Sequence, residues 1–533
     1  MDKQYKLLNE RFFFLAALLI FCLAMAFVNN IPDYDLWARL IVGKHFLEAG
    51  VIPKADFLSY TPTHPWFDHE WGASIVYYAA LKYFGEIGLV ILKGTMIFGI
   101  LFFVNKIVSL RSTKVTSPDN ILFYVVSFLA FYPVLAATIR CHLFTFLFFT
   151  IWLYLLEKVR KGERKWLFYF PFMMIFWSNI HGGCVSGLGL IGLYLIGEYL
   201  NKKPVKDYLI SFILTGLSMF INPYGPQYVM FLAQATTMER PLITEWFGTF
   251  SKFYALQYIK FKLFFFVMLF APIINTIKSG FDYKKIDKTK VLVVLFTAIL
   301  AVKHIKHQPF FVIAAASFLY DDFYLFFNKI TSSIKNKLNI KSEETVLKIK
   351  QTKEFVVYSL ILFVSLFTIS TIDKTIKISQ KKYPIYEVEF VKMNKLKGNV
   401  FVNFHYGSYL AYKLYPENKI VMDGRYEEVY DDELLKEMKD FHLAKVKNWD
   451  DIIKKYQTDV IILEKIYPAF KKVAEDETWT MIFESKDFGV FVPTGKVQKH
   501  YLYPPAKDEF YDKTKFETPI QFERQDNFLT KPL

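Results

Sequence analysis

The sequence predicts a polytopic α-helical membrane protein with about eleven transmembrane helices and a C-terminal α/β domain on the extracytoplasmic side. Of its 533 residues, 53% are hydrophobic and 19% aromatic, which is more apolar surface than a soluble chain of this size carries. Long apolar runs alternate with short lysine-rich gaps as far as residue 372, and from residue 373 onward the pattern is that of a water-soluble domain. The first domain boundary is therefore predicted at residues 372–373.

Each span needs an apolar run of roughly 20 residues to cross the hydrocarbon core. The first run, Phe12–Val28, follows three basic residues and has no A-x-A-like cleavage site before Asn29, so we predict a retained helix rather than a signal peptide. Segment 71–84 is apolar but short, and is predicted to be a juxtamembrane helix. The other predicted spans are 87–108, 120–138, 142–157, 166–180, 184–200, 208–222, 257–277, 290–303, 309–327 and 354–372.

The basic residues of the gaps predict the orientation. They concentrate in five alternate gaps, at about 111–114, 158–165, 202–206, 278–288 and 329–341. The positive-inside rule places these gaps and the N-terminus in the cytoplasm. An odd number of spans then puts the C-terminal domain outside, and the predicted location is the cytoplasmic (inner) membrane.

Composition also argues against several classes of function. The net charge of +15 lies largely in the short gaps, so we expect membrane lipid rather than nucleic acid as a partner. The sequence has no G-x-x-x-x-G-K-[ST] loop, which disfavours direct use of ATP. Cys22, Cys141 and Cys184 lie in or beside apolar runs, so the soluble domain has neither a disulfide framework nor a CxxC metal site. Nothing in the sequence indicates an oligomeric state.

The gaps on the predicted outer side carry the residues capable of chemistry. These candidates are Asp33, Asp35, His69, Glu70, Arg140, His181, Glu245, Lys303, His304, Lys306 and His307. Cytoplasmic gaps hold mostly lysine, whereas the outer gaps hold acids, histidines and tryptophans. This segregation predicts a functional site at the extracytoplasmic face of the membrane.

The long loop at residues 29–71 contains the acidic pair Asp33 and Asp35. They precede a short amphipathic helix, about Leu36–Glu48, whose apolar face is expected on the bilayer surface. One interpretation is helix capping by Asp35. The other is a carboxylate placed where a lipid-linked donor presents its sugar, because glycosyl transfer needs a group that takes a proton or orients the nucleophile.

The remaining candidates also have two interpretations each. His69 and Glu70 either face the same cavity as the acidic pair or anchor the loop at the interface. Arg140 either binds a phosphate bidentately or extends to the interface. His181, before two glycines, either lines a cavity or belongs to a simple reversal of the chain.

Glu245 is a candidate second acid for acceptor or metal binding. The basic residues Lys303, His304, Lys306 and His307 lie on the side where the positive-inside rule does not expect them. They are interpreted either as a site for a lipid phosphate or as contacts to anionic headgroups.

The soluble part is predicted to be a small α/β domain with a mainly parallel sheet. Its predicted strands are Val400–Phe404, Lys419–Asp423, Val460–Leu463, Trp479–Glu484 and Val490–Val492. Its predicted helices are Tyr409–Leu414, Asp432–His442, Trp449–Tyr456 and Pro468–Glu475. Asp423-Gly424-Arg425 leaves the carboxyl end of a strand and is interpreted as a turn salt bridge in preference to a ligand site. The predicted organisation is a membrane domain at 1–372, a stalk at 373–395, the α/β domain at 396–494 and an extended tail at 495–533.

Several motifs, in this order, resemble the C-type glycosyltransferase (GT-C) superfamily, and in particular a large, mostly uncharacterised group of its bacterial multispan members. The motifs are D-Y-D-L-W-A-R-L-I-V-G at 33–43, D-F-L-S-Y-T at 56–61, P-W-F-D-H-E-W at 65–71, R-C-H-L-F at 140–144, W-S-N-I-H-G-G at 177–183, N-P-Y-G at 222–225, E-W at 245–246, K-H-Q-P-F-F at 306–311, Y-G-S-Y-L at 406–410 and D-G-R at 423–425. They cover most of the chain. The sequence departs from the pattern at Cys141, where proline is expected.

The resemblance implies a polyprenyl-phosphate-linked sugar donor, inverting transfer and an external active site. It implies Asp35 as the catalytic carboxylate, with Asp33 as its helper, or as a ligand of a divalent cation (Mg²⁺ or Mn²⁺) in members that use one. The predicted function is therefore a hexosyl- or pentosyltransferase of the cell envelope that acts on a protein, lipid or glycan acceptor.

Two alternatives remain at this stage. A non-catalytic scaffold or partner subunit would bind through the external α/β domain. A lipid transporter would place ionisable residues at mid-membrane and show inverted repeats, but the centres of the apolar runs are nearly charge-free and no repeat is evident.

Overall fold

The structure is a computed structural model that divides the chain into two compact units. It describes residues 2–112, 129–135, 138–238, 240, 243–278, 286–326, 343–372, 374, 376–378, 383–503 and 518–519. The helical unit comprises Met1–Asn29, Val90–Ala137 and His142–Asp373; the α/β unit comprises Asn30–Leu89, Thr138–Cys141 and Lys374–Leu533. Most of the predicted span at 120–138 and most of the predicted tail at 495–533 lie outside the described residues. The domain boundaries proposed from the sequence stay predictions.

The described helices agree closely with the apolar runs. They are Asp2–Val28, Trp71–Arg111, Tyr132–Leu135, His142–Arg160, Trp166–Ile180, Val185–Leu200, Lys206–Ser218, Pro226–Thr237, Ile259–Lys278, Lys288–Lys303, Gln308–Phe318 and Glu343–Thr371. The first helix packs against the last of these, and Lys288–Lys303 packs against both Val185–Leu200 and Gln308–Phe318. In the helical unit the core is formed by large aromatic side chains, including Trp152 and Trp177.

Four of the described helices are long and apolar enough to cross a membrane: Trp71–Arg111, His142–Arg160, Gly182–Leu200 and Ile259–Ile277. A fifth candidate is the pair Ile305–Phe318 and Tyr320–Phe326, which is bent by 69°. Shorter apolar helices at Phe12–Val28, Trp166–Ile180 and Val356–Thr371 coincide with further predicted spans. The prediction of several membrane-length helices is thus confirmed, and the total of eleven stays a prediction.

The predicted juxtamembrane helix at 71–84 and the predicted span at 87–108 belong to one helix, Trp71–Arg111. Gly85 interrupts it with a φ of 67° and a ψ of −162°. Glycine adopts this backbone conformation without the steric cost that a side chain imposes. The interruption falls between the two predicted segments.

Ion pairs join three helices at one end of the helical unit. Arg160 lies 2.8 Å from Glu198 and 2.9 Å from Asp287. Arg111 contacts Asp287 at 3.2 Å and also donates to Glu157. Burial alone would raise the pKa of the Asp287 carboxyl, but the hydrogen bonds and charge of Arg160, and then the charge of Arg111, lower that pKa below its ordinary value. Two basic residues of the predicted cytoplasmic gaps are therefore parts of a largely buried structural network.

A five-stranded sheet organises the α/β unit. The strands of this unit, in chain order, are β1 (Lys377–Ile378), β2 (Gly398–Phe401), β3 (Asn418–Ile420), β4 (Val460–Glu464), β5 (Trp479–Glu484), β6 (Phe488–Pro493) and β7 (Thr518–Pro519). The sheet has the order β3-β2-β4-β6-β5, while β1 and β7 form a separate antiparallel pair. β2 pairs in parallel with β3 and β4, whereas β6 pairs antiparallel with β4 and β5. The sheet is therefore mixed rather than mainly parallel, because the short connection between β5 and β6 permits only a hairpin.

The helices of the α/β unit lie close to their predicted positions. They are Leu36–Ala49, Ile385–Met393, Phe404–Leu414, Tyr426–Val429, Asp432–Leu443, Asp451–Lys455 and Pro468–Glu475. Phe404–Leu414 begins before its predicted start because Asn403 caps it, accepting a hydrogen bond from the His405 amide. The predicted stalk contains a helix, Ile385–Met393, whose Val388 and Phe390 are fully buried.

The first loop forms part of this sheet. Residues 58–60 lie beside β3 in parallel: the Ile420 amide donates to the Leu58 carbonyl at 2.9 Å, and the Tyr60 amide donates to the Ile420 carbonyl at 3.0 Å. The Thr61 hydroxyl then donates to the Val421 carbonyl at 2.6 Å. An edge that would otherwise expose unpaired backbone groups is thereby covered.

The helix Leu36–Ala49 is packed inside the α/β unit. All eight residues from Leu36 to Gly43 are buried, around the full circumference of the helix. A Cβ on Gly43 would lie 2.1 Å from the Ser74 carbonyl oxygen, so the two helices are in backbone contact there. The surface-lying helix expected from the sequence is therefore corrected to a buried one, because Trp37 and its neighbours pack against the C-terminal part of the chain.

Candidate functional site

The acidic pair of the first loop meets Arg140. The backbone brings the two segments together, since Pro32 and Ile139 form a parallel bridge and the Ile139 amide donates to the Ile31 carbonyl. Arg140 Nη2 lies 3.0 Å from Asp35 Oδ2 and its Nε lies 3.6 Å from Asp33 Oδ1. Three residues selected individually from the sequence therefore form one ion-paired group.

Asp35 occupies the N-cap position of Leu36–Ala49 without capping it. Its side chain makes no capping hydrogen bond, and only its carbonyl accepts, from the Arg39 amide at 3.2 Å. Its carboxylate points to Arg140 instead. The capping interpretation thus does not explain why the residue is an aspartate.

A narrow pocket opens beside this group, and we name it the Asp35 pocket. It is lined by Asp35, Leu36, Arg39, Glu70, Tyr77, Ile139, Arg140 and Cys141, and its interior of ≈ 10 Å³ has room for about one water molecule. Burial, and then the charge of Glu70, raise the pKa of the Cys141 thiol, so this side chain is a neutral part of the wall. The pocket therefore presents two carboxylates and two guanidinium groups on an otherwise uncharged surface.

Arg39 supports the pocket from behind. It is only 2% exposed, and its Nη1 lies 2.5 Å from Asp68 Oδ1 while its Nε lies 3.4 Å from Glu70 Oε2. The side chain of Glu70 is thereby held in the pocket wall. His69 does not line this pocket, and its ring lies between two acids, with Nε2 3.9 Å from Glu70 Oε1 and Nδ1 3.2 Å from Glu428 Oε1.

Glu428 belongs to the C-terminal part of the chain. Burial, together with the charges of Asp68 and Glu70, raises the pKa of Glu428 well above its ordinary value, although Arg39 acts in the opposite direction. Its Oε2 accepts a hydrogen bond from Trp66 Nε1 at 3.0 Å. The P-W-F-D-H-E-W motif is therefore held by residues far away in sequence.

The D-G-R motif forms the salt bridge favoured by the sequence and also contacts the acidic pair. Arg425 Nε lies 2.9 Å from Asp423 Oδ1, and its Nη1 lies 2.7 Å from Asp56 Oδ1, all almost completely buried. A Cβ on Gly424 would lie 2.6 Å from Asp35 Oδ1. The turn is thus fixed by ion pairs, and its glycine lets the backbone approach the Asp35 carboxylate.

The acidic pair as arranged does not fit a divalent cation. Asp33 Oδ1 accepts from the Asp35 amide at 3.1 Å, and Asp33 Oδ2 accepts from the Thr138 hydroxyl at 2.7 Å. Arg140 already pairs with both carboxylates. A metal ion would have to displace this guanidinium.

His181 lies in the helical unit as part of a tight turn. Its Nδ1 accepts from the Gly183 amide and lies 2.8 Å from the Thr145 hydroxyl, and its ring lies 4.9 Å from that of His142. A Cβ on Gly183 would lie 2.3 Å from Thr145 Oγ1, so the close backbone approach expected at the two glycines is present.

The basic residues of the K-H-Q-P-F-F region surround Trp246. Lys306 Nζ lies 3.4 Å and Arg240 Cζ 4.1 Å from the Trp246 ring centre, both cation–π contacts. His304 Nδ1 lies 2.5 Å from the Trp246 carbonyl oxygen, and the His307 ring lies 5.4 Å from that of His304. His304, Lys306 and His307 are therefore brought together.

Two further candidates of the helical unit lie at the edge of this group. Glu245 lies in the short turn Thr244–Trp246, directly before Trp246. Lys303 is exposed at the end of its helix.

Sequence reasoning missed Arg39, Arg240, Trp246 and Gly424 as participants. Arg39 is a single charge inside an apolar run, and a buried charge of this kind usually has a partner. Gly424 was considered only as part of a turn. The charge of Arg39 and the turn at Gly424 do not reveal which residues they contact, because those residues are distant in sequence.

The fold is GT-C-like, as the resemblance predicted, because it matches solved structures of polytopic membrane proteins. No protein-family model matches the sequence, and no curated protein matches it. Solved structures do match.

One is the oligosaccharyltransferase AglB of Archaeoglobus fulgidus in complex with an inhibitory peptide and a dolichol-phosphate, at 10% identity and a TM-score of 0.57 over 94% of this chain and 76% of that one. The apo oligosaccharyltransferase of the same organism matches at 8% identity and 0.55, over 84% and 69%. ArnT of Cupriavidus metallidurans, bound to undecaprenyl phosphate, matches at 9% and 0.53, over 91% and 98%. At these identities the similarity concerns the fold alone.

Proposed function

We propose that this protein is a glycosyltransferase that moves a sugar from a polyprenyl-phosphate-linked donor to an acceptor on the extracytoplasmic side of the inner membrane. Asp35 is the proposed catalytic carboxylate. The N-terminus is placed in the cytoplasm and the α/β unit outside, in accordance with the positive-inside pattern.

The observation that carries the proposal is the position of the Asp35 carboxylate. It is not used for helix capping, it is held by Arg140 at 3.0 Å, and it lines a pocket. A carboxylate that is fixed and accessible is the group needed to accept a proton from an acceptor hydroxyl as the new glycosidic bond forms. Asp33 contributes by holding Arg140 and the Asp35 amide in place.

The comparisons support the donor class. Two proteins of the same fold are bound to polyprenyl phosphates, dolichol-phosphate in one and undecaprenyl phosphate in the other. The departing lipid phosphate needs positive charge nearby. We assign this role to Arg140. The basic group of the helical unit (Lys303, His304, Lys306 and His307) is a separate candidate for contacts to a lipid phosphate, and His181 and Glu245 of that unit are candidates for polar contacts to a substrate. Because a cation would have to displace Arg140, no step is assigned to a metal.

The proposal is tested with Asp35→Asn in cells that lack the wild-type protein. We expect the glycoconjugate made by this enzyme, identified by comparing extracts with and without the wild-type gene, to fall by at least about 100-fold, since general-base groups contribute that much or more. Protein amounts in the membrane fraction are measured in parallel.

Asp476→Asn is the matched control, because it removes the same charge from an exposed turn and keeps a side chain that can accept from the Thr478 amide. It should leave the glycoconjugate unchanged. If Asp35→Asn also leaves every glycoconjugate unchanged at normal protein levels, the transferase proposal is wrong and the scaffold alternative is favoured.

A further inference from the structure

The α/β unit contains a second group of converging polar side chains, at the carboxyl ends of β2 and β4. In the order β3-β2-β4-β6-β5, the chain continues from β2 to β3 on one side and from β4 to β5 on the other, so it leaves the ends of these two neighbouring strands in opposite directions. Open sheets with parallel strands bind ligands at such a reversal point. Five residues at or just after the ends of these two strands form a group that we name the switch-point crevice: Asn403, His405, Tyr406, Glu464 and Tyr467.

The side chains of the crevice are connected by hydrogen bonds around Glu464. The Tyr406 hydroxyl donates to Glu464 Oε1 at 2.6 Å, and Asn403 Nδ2 donates to the Tyr467 oxygen at 3.1 Å and lies 3.5 Å from Glu464 Oε2. A carboxylate has about four acceptor positions, so Glu464 retains acceptor capacity after these contacts. The network is thus fixed in place and still able to bind a hydroxyl group.

His442 adds a buried acceptor beside the crevice. It is 4% exposed, and its ring packs against that of Tyr467 with 4.6 Å between centres. Its Nδ1 lies 2.7 Å from the Met438 carbonyl oxygen and therefore donates, which leaves Nε2 as an acceptor. Among the described residues Nε2 has no hydrogen-bond partner. Because Nε2 is closed off from solvent, His442 supports the ring of Tyr467 from behind and does not itself face a ligand.

An aromatic wall connects the crevice to the acidic pair. The Tyr34 ring lies 5.7 Å from His405 and 6.2 Å from Tyr406, and Tyr34 stands in sequence between Asp33 and Asp35. The crevice therefore combines apolar surfaces with hydroxyl, amide and carboxylate groups.

The charges of the crevice favour a neutral ligand. Desolvation lowers the pKa of His405, and burial lowers the pKa of His442 to about 4, so both rings are uncharged at neutral pH. Glu464 would repel a phosphate. The segment after β2 has no glycine-rich phosphate loop: its Gly407 instead packs against the Met422 carbonyl oxygen, which a Cβ would approach to 2.1 Å.

We propose that the switch-point crevice binds a neutral saccharide through hydroxyl contacts to Glu464 and Asn403 and ring contacts to Tyr34, and that this saccharide is the acceptor presented to Asp35. The inference rests on the proposed transferase function. Sugars match the crevice because their hydroxyl groups both donate and accept, while their C–H faces pack on aromatic rings.

Binding is tested with the purified full-length protein in detergent micelles. The probes are neutral oligosaccharides of glucose, galactose, mannose and N-acetylhexosamines, with inorganic phosphate and UDP-glucose as anionic comparisons. We expect the wild type to bind at least one neutral probe and neither anionic one. Glu464→Gln should weaken this binding by about tenfold or more, because hydrogen bonds to a charged group are the stronger ones.

Tyr406→Phe provides an independent variant, checked for thermal unfolding like that of the wild type. Glu475→Gln, which removes the same charge from an exposed helix end, is the matched control and should bind normally. The inference is overturned if the wild type binds no neutral saccharide, prefers the anionic probes, or binds equally well after both crevice substitutions.

The test is independent of the transferase proposal. Asp35→Asn should retain saccharide binding, since Asp35 is outside the crevice. Loss of binding in Glu464→Gln together with unaltered glycoconjugates in Asp35→Asn would leave the binding site standing and reject the transferase. Normal saccharide binding in every crevice variant, together with loss of the glycoconjugate in Asp35→Asn, would reject the saccharide site and leave the transferase proposal standing.

Discussion

At the scale of residues, the position of Asp35 shows how context decides the role of a side chain. An aspartate before a helix usually caps it. Here the helix Leu36–Ala49 is capped without the carboxylate, which instead pairs with Arg140. Asp35 and Arg140 were each predicted from the sequence. Their pairing was not, since 105 residues separate them and local patterns carry no information at that distance.

Gly424→Ala should reduce activity without unfolding the protein. The added Cβ would lie 2.6 Å from Asp35 Oδ1, so the carboxylate has to move away from its position beside Arg140. We expect a fall in glycoconjugate of about tenfold or more, because small displacements at a reacting centre are costly. Gly495→Ala, where a Cβ meets nothing within 4 Å, is the control. An unaltered product level in Gly424→Ala would show that the turn does not position Asp35.

Glu387 predicts a specific dependence of stability on pH. It is 1% exposed, and burial raises its pKa to about 7, above an ordinary value near 4.5. Between these two values the folded protein keeps a proton that the unfolded chain has lost. Stability therefore falls as the pH rises from about 4.5 to 7, by about 3 kcal/mol in total, and is independent of this group above that range.

Glu387→Gln should remove this dependence and raise the unfolding temperature at pH 8 relative to the wild type. Thermal unfolding followed by tryptophan fluorescence at pH 5 and pH 8 measures both effects. Glu477→Gln, at an exposed position, is the control. If the wild type becomes more stable between pH 5 and pH 8, and Glu387→Gln abolishes that increase, the raised pKa of Glu387 is contradicted.

At the scale of elements, strands and helices were predicted well where the pattern is local. β5 and the helix Pro468–Glu475 have their predicted boundaries. The direction of β6 was not predicted, because alternation of strands and helices favours a parallel sheet until a short connection forces a hairpin. The strand-like pairing of residues 58–60 with β3 was also missed, since its partner lies in a distant part of the chain.

Arg425→Met should destabilise the α/β unit by about 3–5 kcal/mol, because it leaves the buried carboxylates Asp56 and Asp423 without their cation. Lys455→Met removes the cation of an exposed pair with Glu437 and should cost about 1 kcal/mol or less. Amide hydrogen exchange in residues 58–61 reports the difference. Equal protection in the two variants would show that the ion pairs do not hold the loop to the sheet.

At the scale of the whole molecule, the compact units group segments that are distant in the sequence. The sequence indicates a membrane part followed by a soluble part, but residues 30–89 and 138–141 belong to the same compact unit as the C-terminal residues. Hydropathy identifies which segments are apolar, and it cannot identify which polar segments pack together. Motifs of the first loop and of the C-terminal part contact each other within this unit, as Asp56 and Arg425 do.

Truncation after residue 373 should therefore unfold the first loop although its own sequence is intact. Trp37 and Trp66, both fully buried, would lose partners such as Tyr409 and Glu428. We expect protease added to the outer face of spheroplasts to cut within residues 30–70 of the truncated protein and not of the full-length one. Resistance of the truncated protein would mean that the loop folds without the C-terminal part.

The pairing of Asp56 with Arg425, 369 residues apart, also orders events during biosynthesis. At roughly 5–20 residues per second, the ribosome needs about 20–75 s to supply the arginine after the aspartate has been made. During that interval the first loop lacks the strand and turn against which it folds. The residues that line the Asp35 pocket are all made early, whereas Gly424, whose backbone approaches the Asp35 carboxylate, is made only with the last third of the chain.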